Sequence, residues 1–355
     1  MNKLAIKGYS LLADGMWGRE NPPPLPLETI EAVIFDIDGV LVEVSGSFRE
    51  VISRTVQFFF NRIMEVPGEE VLVSPEETGL FKLAGNFNND WDLANGAVAW
   101  GLMKLVSVEG ADGRSTSSLK SGFPTLAEFT GEIKKYGGGL SAALEIVRKR
   151  LGNCHFPEFA GLYRPELVKE IFMEHYAGPE LCRRFYNFDA RHYQGPGLVE
   201  KERFLLDLSL LQELGARGVS LGVLSGRIPE EADYLFASTG LAALLSRDFV
   251  VTDDGSLPPK PNPAGLRHLA GKMGFHKAVY VGDAPDDWTT VAAYNSQPGS
   301  DSRIACCIVQ TGAISKKLMA RFYEESKPDY IALEVNYFLK ALYGNVSTVK
   351  KAKKY

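Results

Sequence analysis

Short apolar runs that stop at a chemistry-bearing residue are the feature that most restricts what this chain can fold into. Ala32-Val33-Ile34-Phe35 ends at Asp36, and similar runs recur at Val219–Leu224, Phe249–Thr252, Ala278–Val281, Ile304–Val309 and Tyr330–Leu333. A short apolar run bounded by turn residues suits a strand buried on both faces, as in a parallel sheet covered by helices. Helical patterns lie between the runs. Residues 202–214, with Phe204, Leu205, Leu208, Leu211 and Leu214, end at Gly215; residues 263–273 follow Asn262, placed as a cap before Pro263. Strands alternating with helices predict an α/β fold with a Rossmann-like, doubly wound parallel sheet. Right-handed crossovers then bring the strand C-termini to one edge, where such sheets bind ligands.

The alternation is interrupted between residues 46 and 198, which read as mostly helical. Ser47-Phe48-Arg49-Glu50 has the spacing of a capping box and is followed by apolar residues at 48, 52, 55, 56, 59 and 63. Ser74-Pro75-Glu76-Glu77 marks a second helix start, and residues 165–176 form a third amphipathic stretch. Glycine clusters at 137–139 and 195–197 read as loops or hinges. The expected organisation is therefore a sheet domain from 31–45 and 199–345, with a helical domain, 46–198, inserted after the first strand. Residues 1–30 read as an N-terminal arm closing on Asn21-Pro22-Pro23-Pro24-Leu25-Pro26, an extended polyproline-like segment. Residues 346–355 form a basic tail, read as a frayed, solvated terminus.

Composition narrows the function classes. A length of 355 residues fits two or three domain-sized units, and 45% hydrophobic with 23% charged residues is an ordinary globular balance. A net charge of −5 argues against general nucleic-acid binding and against a polybasic membrane surface. The four cysteines, Cys154, Cys182, Cys306 and Cys307, form no C-x-x-C pair and read as reduced core thiols. The apolar runs are too short to span a bilayer, and Lys3 and Lys7 precede no cleavage signal, so the expected location is the cytoplasm. Composition leaves the oligomeric state open.

Four clusters at predicted strand ends carry the chemistry. In Asp36-Ile37-Asp38-Gly39 two carboxylates stand one residue apart; they repel, and a divalent cation is a natural way to keep both useful. The same residues also suit a solvated strand–turn junction. In Ser225-Gly226-Arg227 a hydroxyl and backbone N–H groups after a strand can hold phosphate oxygens, or the serine can cap a helix. In Lys260-Pro261-Asn262-Pro263 a lysine on stiffened backbone can neutralise developing charge, or lie in a surface loop. In Gly282-Asp283-Ala284-Pro285-Asp286-Asp287 the carboxylates suit a hard cation or an acidic helix start. Each bland reading stands alone; the four together, in this order and each after a buried strand, are improbable as coincidence.

The set resembles the haloacid dehalogenase (HAD) superfamily. Its D-x-D-G motif is matched by Asp36 and Asp38, its strand-end Ser/Thr by Ser225, its K-P-x-P lysine by Lys260, and its G-D-x-x-x-D by Asp283 and Asp287. One departure is Ala284, where many members carry Ser or Thr. The resemblance covers roughly 31–45 and 199–345, and the insertion falls in the cap position of the C1-capped, subfamily IA-like group. It implies a phosphatase that acts on a small phosphorylated metabolite with Mg2+ as cofactor. Asp36 is then the nucleophile and Asp38 the general acid/base; Ser225, Gly226 and Lys260 hold the phosphoryl group. The metal set is Asp36, Asp38 (through its backbone carbonyl), Asp283 and Asp287, the last either supporting the metal or orienting Lys260. Halide-removing relatives lack the second acid, so Asp38 argues against dehalogenation. A phosphomutase, or a noncatalytic phospho-ligand-binding protein on the same scaffold, are the competing readings.

Phe81–Asp92 resembles a small subgroup of hypothetical phosphatases. Its density of amides, acids and aromatics beside Gly85 suits the reading of substrate hydroxyls, and equally a helix start anchored by Trp91. Lys82, Asn86, Asn88, Asn89, Asp90 and Trp91 are the candidates there. Arg49 joins them as a substrate-contact candidate or as a solvated first-turn residue.

Overall fold

The computed structural model describes residues 6–44, 46–87, 89–108, 114–297, 301–311 and 322–352. They fall into two compact units: the described residues of Met1–Glu43 with Arg203–Tyr355, and Val44–Glu202.

The first unit is built on one sheet whose strands are β1 (Tyr9–Ala13), β2 (Met16–Arg19), β3 (Ala32–Phe35), β6 (Ser220–Leu224), β7 (Val250–Val251), β8 (Lys277–Gly282), β9 (Arg303–Val309) and β10 (Tyr330–Ala332). A separate two-stranded ribbon pairs β4 (Val42–Glu43) antiparallel with β5 (Arg203–Phe204). The order across the large sheet is β1-β2-β10-β9-β8-β3-β6-β7. From β10 to β7 every neighbouring pair is parallel. All four residues of β3 are buried, and so are five of the six in β8, as expected for strands covered on both faces. β3, first of the parallel strands in the chain, sits between β6 and β8, so the crossovers diverge beside it. In open α/β sheets such a divergence is where ligands bind, at the strand C-termini.

Within the N-terminal arm expected for 1–30, Tyr9–Ala13 and Met16–Arg19 instead join the sheet. β1 and β2 form a hairpin, and β2 pairs antiparallel with β10, covering what would be an open edge. The signal was present: Asp14-Gly15 stands between Leu11-Leu12 and Met16-Trp17, and Asp-Gly favours the positive φ of two-residue hairpins. Gly15 has φ +66°, and a Cβ there would lie 2.4 Å from the Tyr337 ring. The proline stretch is pinned rather than projecting, since Arg19 Nε donates to the Pro22 carbonyl at 2.8 Å and the Tyr330 hydroxyl donates to Leu25 O. The helix expected from 202 begins later, at Leu208, with Asp207 accepting from Ser209 N–H at 3.0 Å, because Arg203–Phe204 is taken up by pairing with β4. At the other terminus the helix Val335–Ala352 continues into the basic tail expected to fray; residues 353–355, and the side chains from 346 onward, lie outside the described residues.

The Val44–Glu202 unit is helical. Its centre is the helix Asp90–Ser107, buried on all sides from Leu93 to Val106, around which Phe59, Phe60, Phe81, Phe129 and Phe172 are buried. Two of the long helices break at glycine: Gly152 within Gly139–Leu162 and Gly178 within Pro165–Tyr186. Ser47 sits at the N-cap of Phe48–Phe58 but does not form the expected capping box. Its backbone is not extended there, its hydroxyl donates to Glu202 Oε1 at 3.1 Å, and Glu50 pairs with Arg54 at 2.7 Å. The reciprocal pattern forms instead at Ser74 and Glu77: Ser74 N–H donates to Glu77 Oε2 at 2.8 Å and Glu77 N–H to Ser74 Oγ at 3.4 Å, one turn before the helix Thr78–Ala84. Cys182, Cys306 and Cys307 are buried free thiols; Cys154, expected in the core, is exposed.

Candidate active site

Asp36 continues β3 by one residue, its N–H donating to Val281 O at 2.9 Å, so sheet pairing runs up to the first acid of the pair. Its carboxylate is buried, 6% exposed, and accepts Ile37 N–H at 2.7 Å on Oδ1 and Lys260 Nζ at 2.8 Å on Oδ2. Lys260 also donates to Asp287 Oδ1 at 2.8 Å and lies 3.2 Å from the Tyr280 hydroxyl. The Asp287 carboxylate is fully engaged by the protein. Oδ1 receives Lys260 and the Tyr280 hydroxyl (2.9 Å), while Oδ2 receives the N–H groups of Asp283 (2.9 Å) and Ala284 (3.0 Å). That approach needs Gly282: a Cβ at this position would lie 2.4 Å from Asp287 Cγ. Asp287, on the first turn of the helix Pro285–Asn295, therefore orients Lys260 against Asp36.

Ser225 follows β6, its N–H donating to Val251 O at 3.0 Å, and its Oγ accepts Arg227 N–H at 3.3 Å; Gly226 forms the bend between them. Ser225 is not a helix cap, because the next helix, Pro229–Thr239, begins after Ile228. Lys260 precedes the helix Ala264–Met273, where Asn262 Oδ1 accepts Ala264 N–H at 3.0 Å. Asp38 turns its carboxylate to Arg227, whose Nε and Nη2 donate to the same Oδ1 at 3.0 and 2.6 Å. Arg227 is buried, while a quarter of the Asp38 side chain remains exposed.

The electrostatics follow from burying this much charge. Burial pushes the Asp36 carboxyl up to about 6; Lys260 pulls it down, and Asp287 and Asp38 add to the rise. Burial pulls the Lys260 ammonium down, but Asp287 and Asp36 outweigh it and hold it well above the ordinary lysine range. Burial, then Asp287, keeps Tyr280 a neutral phenol. Carboxylate oxygens of Asp36, Asp283 and Asp287 lie within 4.8 Å of one another, all three residues buried. The Asp38 carboxylate is not in that group; the expectation for Asp38 concerned its backbone carbonyl. Four site carboxylates thus face two cations, Lys260 and Arg227, an excess of negative charge that a divalent cation bound by oxygen ligands would neutralise.

Two residues of this constellation escape sequence reasoning. Tyr280 reads as one more apolar strand residue, and its hydroxyl acquires a role only once β8 lies beside Leu224 and Asp287. Arg227 is visible beside Ser225, but nothing in sequence ties it to Asp38, 189 positions earlier.

In the helical unit one pair forms among the candidates, and the others meet neighbouring residues. Lys82 Nζ lies 2.8 Å from Asp90 Oδ1, and Asn86 Nδ2 donates to Gly137 O at 2.6 Å. Trp91 stands edge-on to Phe172, under the ammonium of Lys169. Asn89 occupies the N-cap of Asp90–Ser107 without capping it, and its buried Oδ1 has no hydrogen-bond partner. Arg49 lies in the first turn of Phe48–Phe58, and Asn88 lies outside the described residues.

Fold and site together define an α/β protein with aspartates gathered on the C-terminal edge of a parallel sheet and one lysine held between two of them. A family model described as haloacid dehalogenase-like hydrolase matches residues 30–293, and the chain belongs to that family. The chain is 26% identical over 261 residues to an imidazoleglycerol-phosphate dehydratase of Phytophthora nicotianae, 73% of this chain and 40% of that one. It is 36% identical over 104 residues to a phosphoglycolate phosphatase of Rhodospirillum rubrum, 29% of this chain and 42% of that one. The chain thus matches less than half the length of either curated relative. Among solved structures, phosphatase Tt82 from Thermococcus thioreducens shares the fold, with a TM-score of 0.54 at 22% identity, covering 88% of this chain and 98% of that one. Among the described residues no helix is long and apolar enough to cross a membrane.

Proposed function

We propose that the chain is a magnesium-dependent phosphatase that hydrolyses a small phosphorylated metabolite through an aspartyl phosphate on Asp36. The observation that carries this reading is the buried Lys260 ammonium held between Asp36 and Asp287. A carboxylate nucleophile must approach an anionic phosphoryl group, and a fixed cation beside its outer oxygen lowers that repulsion at the reacting centre. The family match and the phosphatase-named relative support the same class.

Asp36 forms the bond to phosphorus as the ester oxygen departs. Asp38 gives that oxygen a proton, then takes one from the water that opens the aspartyl phosphate. Ser225 Oγ, the backbone N–H groups around Gly226 and the Lys260 ammonium hold the phosphoryl oxygens. The buried, charge-excess carboxylate set fits a hard divalent ion; Asp36 and Asp283 would hold it, with the Asp38 carbonyl by resemblance to the family. Magnesium bound there would screen the phosphoryl charge. Asp287 fixes Lys260, its oxygens already being occupied by protein donors.

The helical unit is proposed to select the substrate, with Arg49, Lys82, Asn89 and Asp90 as its contact residues and a cytoplasmic setting for the reaction. The relatives' names suggest phosphoglycolate and imidazoleglycerol phosphate as members of a first substrate panel. Release of inorganic phosphate from one panel member, dependent on magnesium and abolished in Asp36→Asn, is the expected result. An isomerised phosphate ester as sole product would instead identify a phosphomutase, and full activity in Asp36→Asn would remove Asp36 as nucleophile.

A further inference from the structure

We propose that Arg227 is a positioning residue for Asp38, fixing the carboxylate that activates the hydrolytic water. The inference rests on the phosphatase reading above and extends it to a residue outside the motif set.

Arg227 is only 3% exposed, yet its guanidinium is aimed at the one site carboxylate that remains partly open to solvent. Two of its N–H groups, on Nε and Nη2, converge on the single oxygen Oδ1 of Asp38. This is not the side-by-side fork that engages both oxygens of a carboxylate. Gripping one oxygen fixes the rotation of the carboxylate and leaves Oδ2 as the atom for proton transfer. The arginine is itself anchored: its N–H donates to Ser225 Oγ at 3.3 Å and its carbonyl accepts Asp253 N–H at 2.8 Å. The same short segment thus holds the phosphoryl-binding serine and the group that aims the acid/base. Asp38 needs such a hold, because it follows the end of β3 and has only an isolated bridge to Val42 as sheet pairing.

The step most dependent on this alignment is the second one. Water oxygen bonds to phosphorus, one water proton passes to Asp38 Oδ2, and the bond between phosphorus and the Asp36 oxygen breaks. Inorganic phosphate leaves, and the Asp36 carboxylate is regenerated. A good leaving group can depart without protonation, but the water cannot be activated without a base. On p-nitrophenyl phosphate, a misaligned Asp38 therefore slows opening of the aspartyl phosphate more than its formation.

The test compares wild type, Asp38→Asn, Arg227→Ala and Arg227→Lys as full-length chains with magnesium, using p-nitrophenyl phosphate labelled in the phosphoryl group. Turnover and the acid-quenched covalent phosphoenzyme are both measured. Arg227→Ala is expected to lower kcat by roughly 10- to 100-fold, the scale of a lost alignment, with a much smaller change in KM. Phosphoenzyme should accumulate as in Asp38→Asn, and added methylguanidine should restore part of the turnover. Arg227→Lys, which keeps the charge but not the two fixed N–H donors, should fall between. The melting transition of each variant identifies any that is unfolded, and turnover is normalised to folded protein. Accumulation in Asp38→Asn but not in Arg227→Ala, with no rescue by methylguanidine, would overturn the positioning role. Absence of phosphoenzyme from every variant and from wild type would overturn the aspartyl-phosphate reading itself, and this inference with it.

Discussion

At the scale of single residues, the site holds more charge than a folded interior readily accepts, and Asp36 shows the cost. Its carboxyl titrates near 4 in the unfolded chain, and burial, only partly offset by Lys260, raises this to about 6 in the folded one. Between these values the folded state binds more protons than the unfolded state. Stability of the metal-free protein therefore falls as pH rises from about 4 through about 6. Asp36→Asn removes the ionisation. In EDTA at pH 7 this variant should melt above wild type, by an amount on the order of 2 kcal/mol, and the gain should fade towards pH 4. Melting curves from pH 4 to 8 measure it; a variant less stable at every pH would mean that the Lys260 contact outweighs the burial. The acids were legible in sequence because the strand-end pattern and motif spacing mark them. Arg227 and Tyr280 were not, since their roles come from partners far along the chain.

At the scale of elements, the turn from β8 into the helix Pro285–Asn295 does the positioning. Asp287 folds back over Gly282 and receives two backbone N–H groups of that turn, which leaves its other oxygen for Lys260 and Tyr280. Gly282→Ala places a methyl 2.4 Å from Asp287 Cγ, so the Asp287 carboxylate must shift. We expect it to destabilise the fold by about 1–3 kcal/mol, the usual range for overpacking. It should also lower kcat by more than the loss of folded protein explains, since Lys260 loses its anchor. Activity per folded molecule measures this, and a value equal to wild type would show that Lys260 keeps its place without Asp287. The element least anticipated is the β1–β2 hairpin. Three prolines in a row favour an extended arm, whereas Asp14-Gly15 earlier in the segment favours a reversal.

At the scale of the whole molecule, a metal held as proposed would be coupled to folding, because the carboxylates of Asp36 and Asp283 gather only in the folded chain. A ligand that binds the folded state alone stabilises it by RT ln(1 + [L]/Kd), about 2.7 kcal/mol at a hundredfold excess over Kd. Magnesium should therefore raise the melting temperature of wild type at pH 7 and raise that of Asp283→Ala far less. Equal rises in both would place the ion elsewhere. The sequence by itself determined the parallel sheet, the helical character of the stretch after its first parallel strand, and the place of the motif acids, serine and lysine beside strand ends. Those depend on local periodicity and on residue types beside strand ends, which a linear chain records. Tertiary structure decided which carboxylate faces which cation. It put Asp287 on Lys260 and Arg227 on Asp38, and it gave the sheet edge beside β10 to residues that precede β3. Pairing of this kind is set by strand order and by the cost of leaving a buried charge or a backbone edge unmatched, and neither is written in any local stretch of sequence.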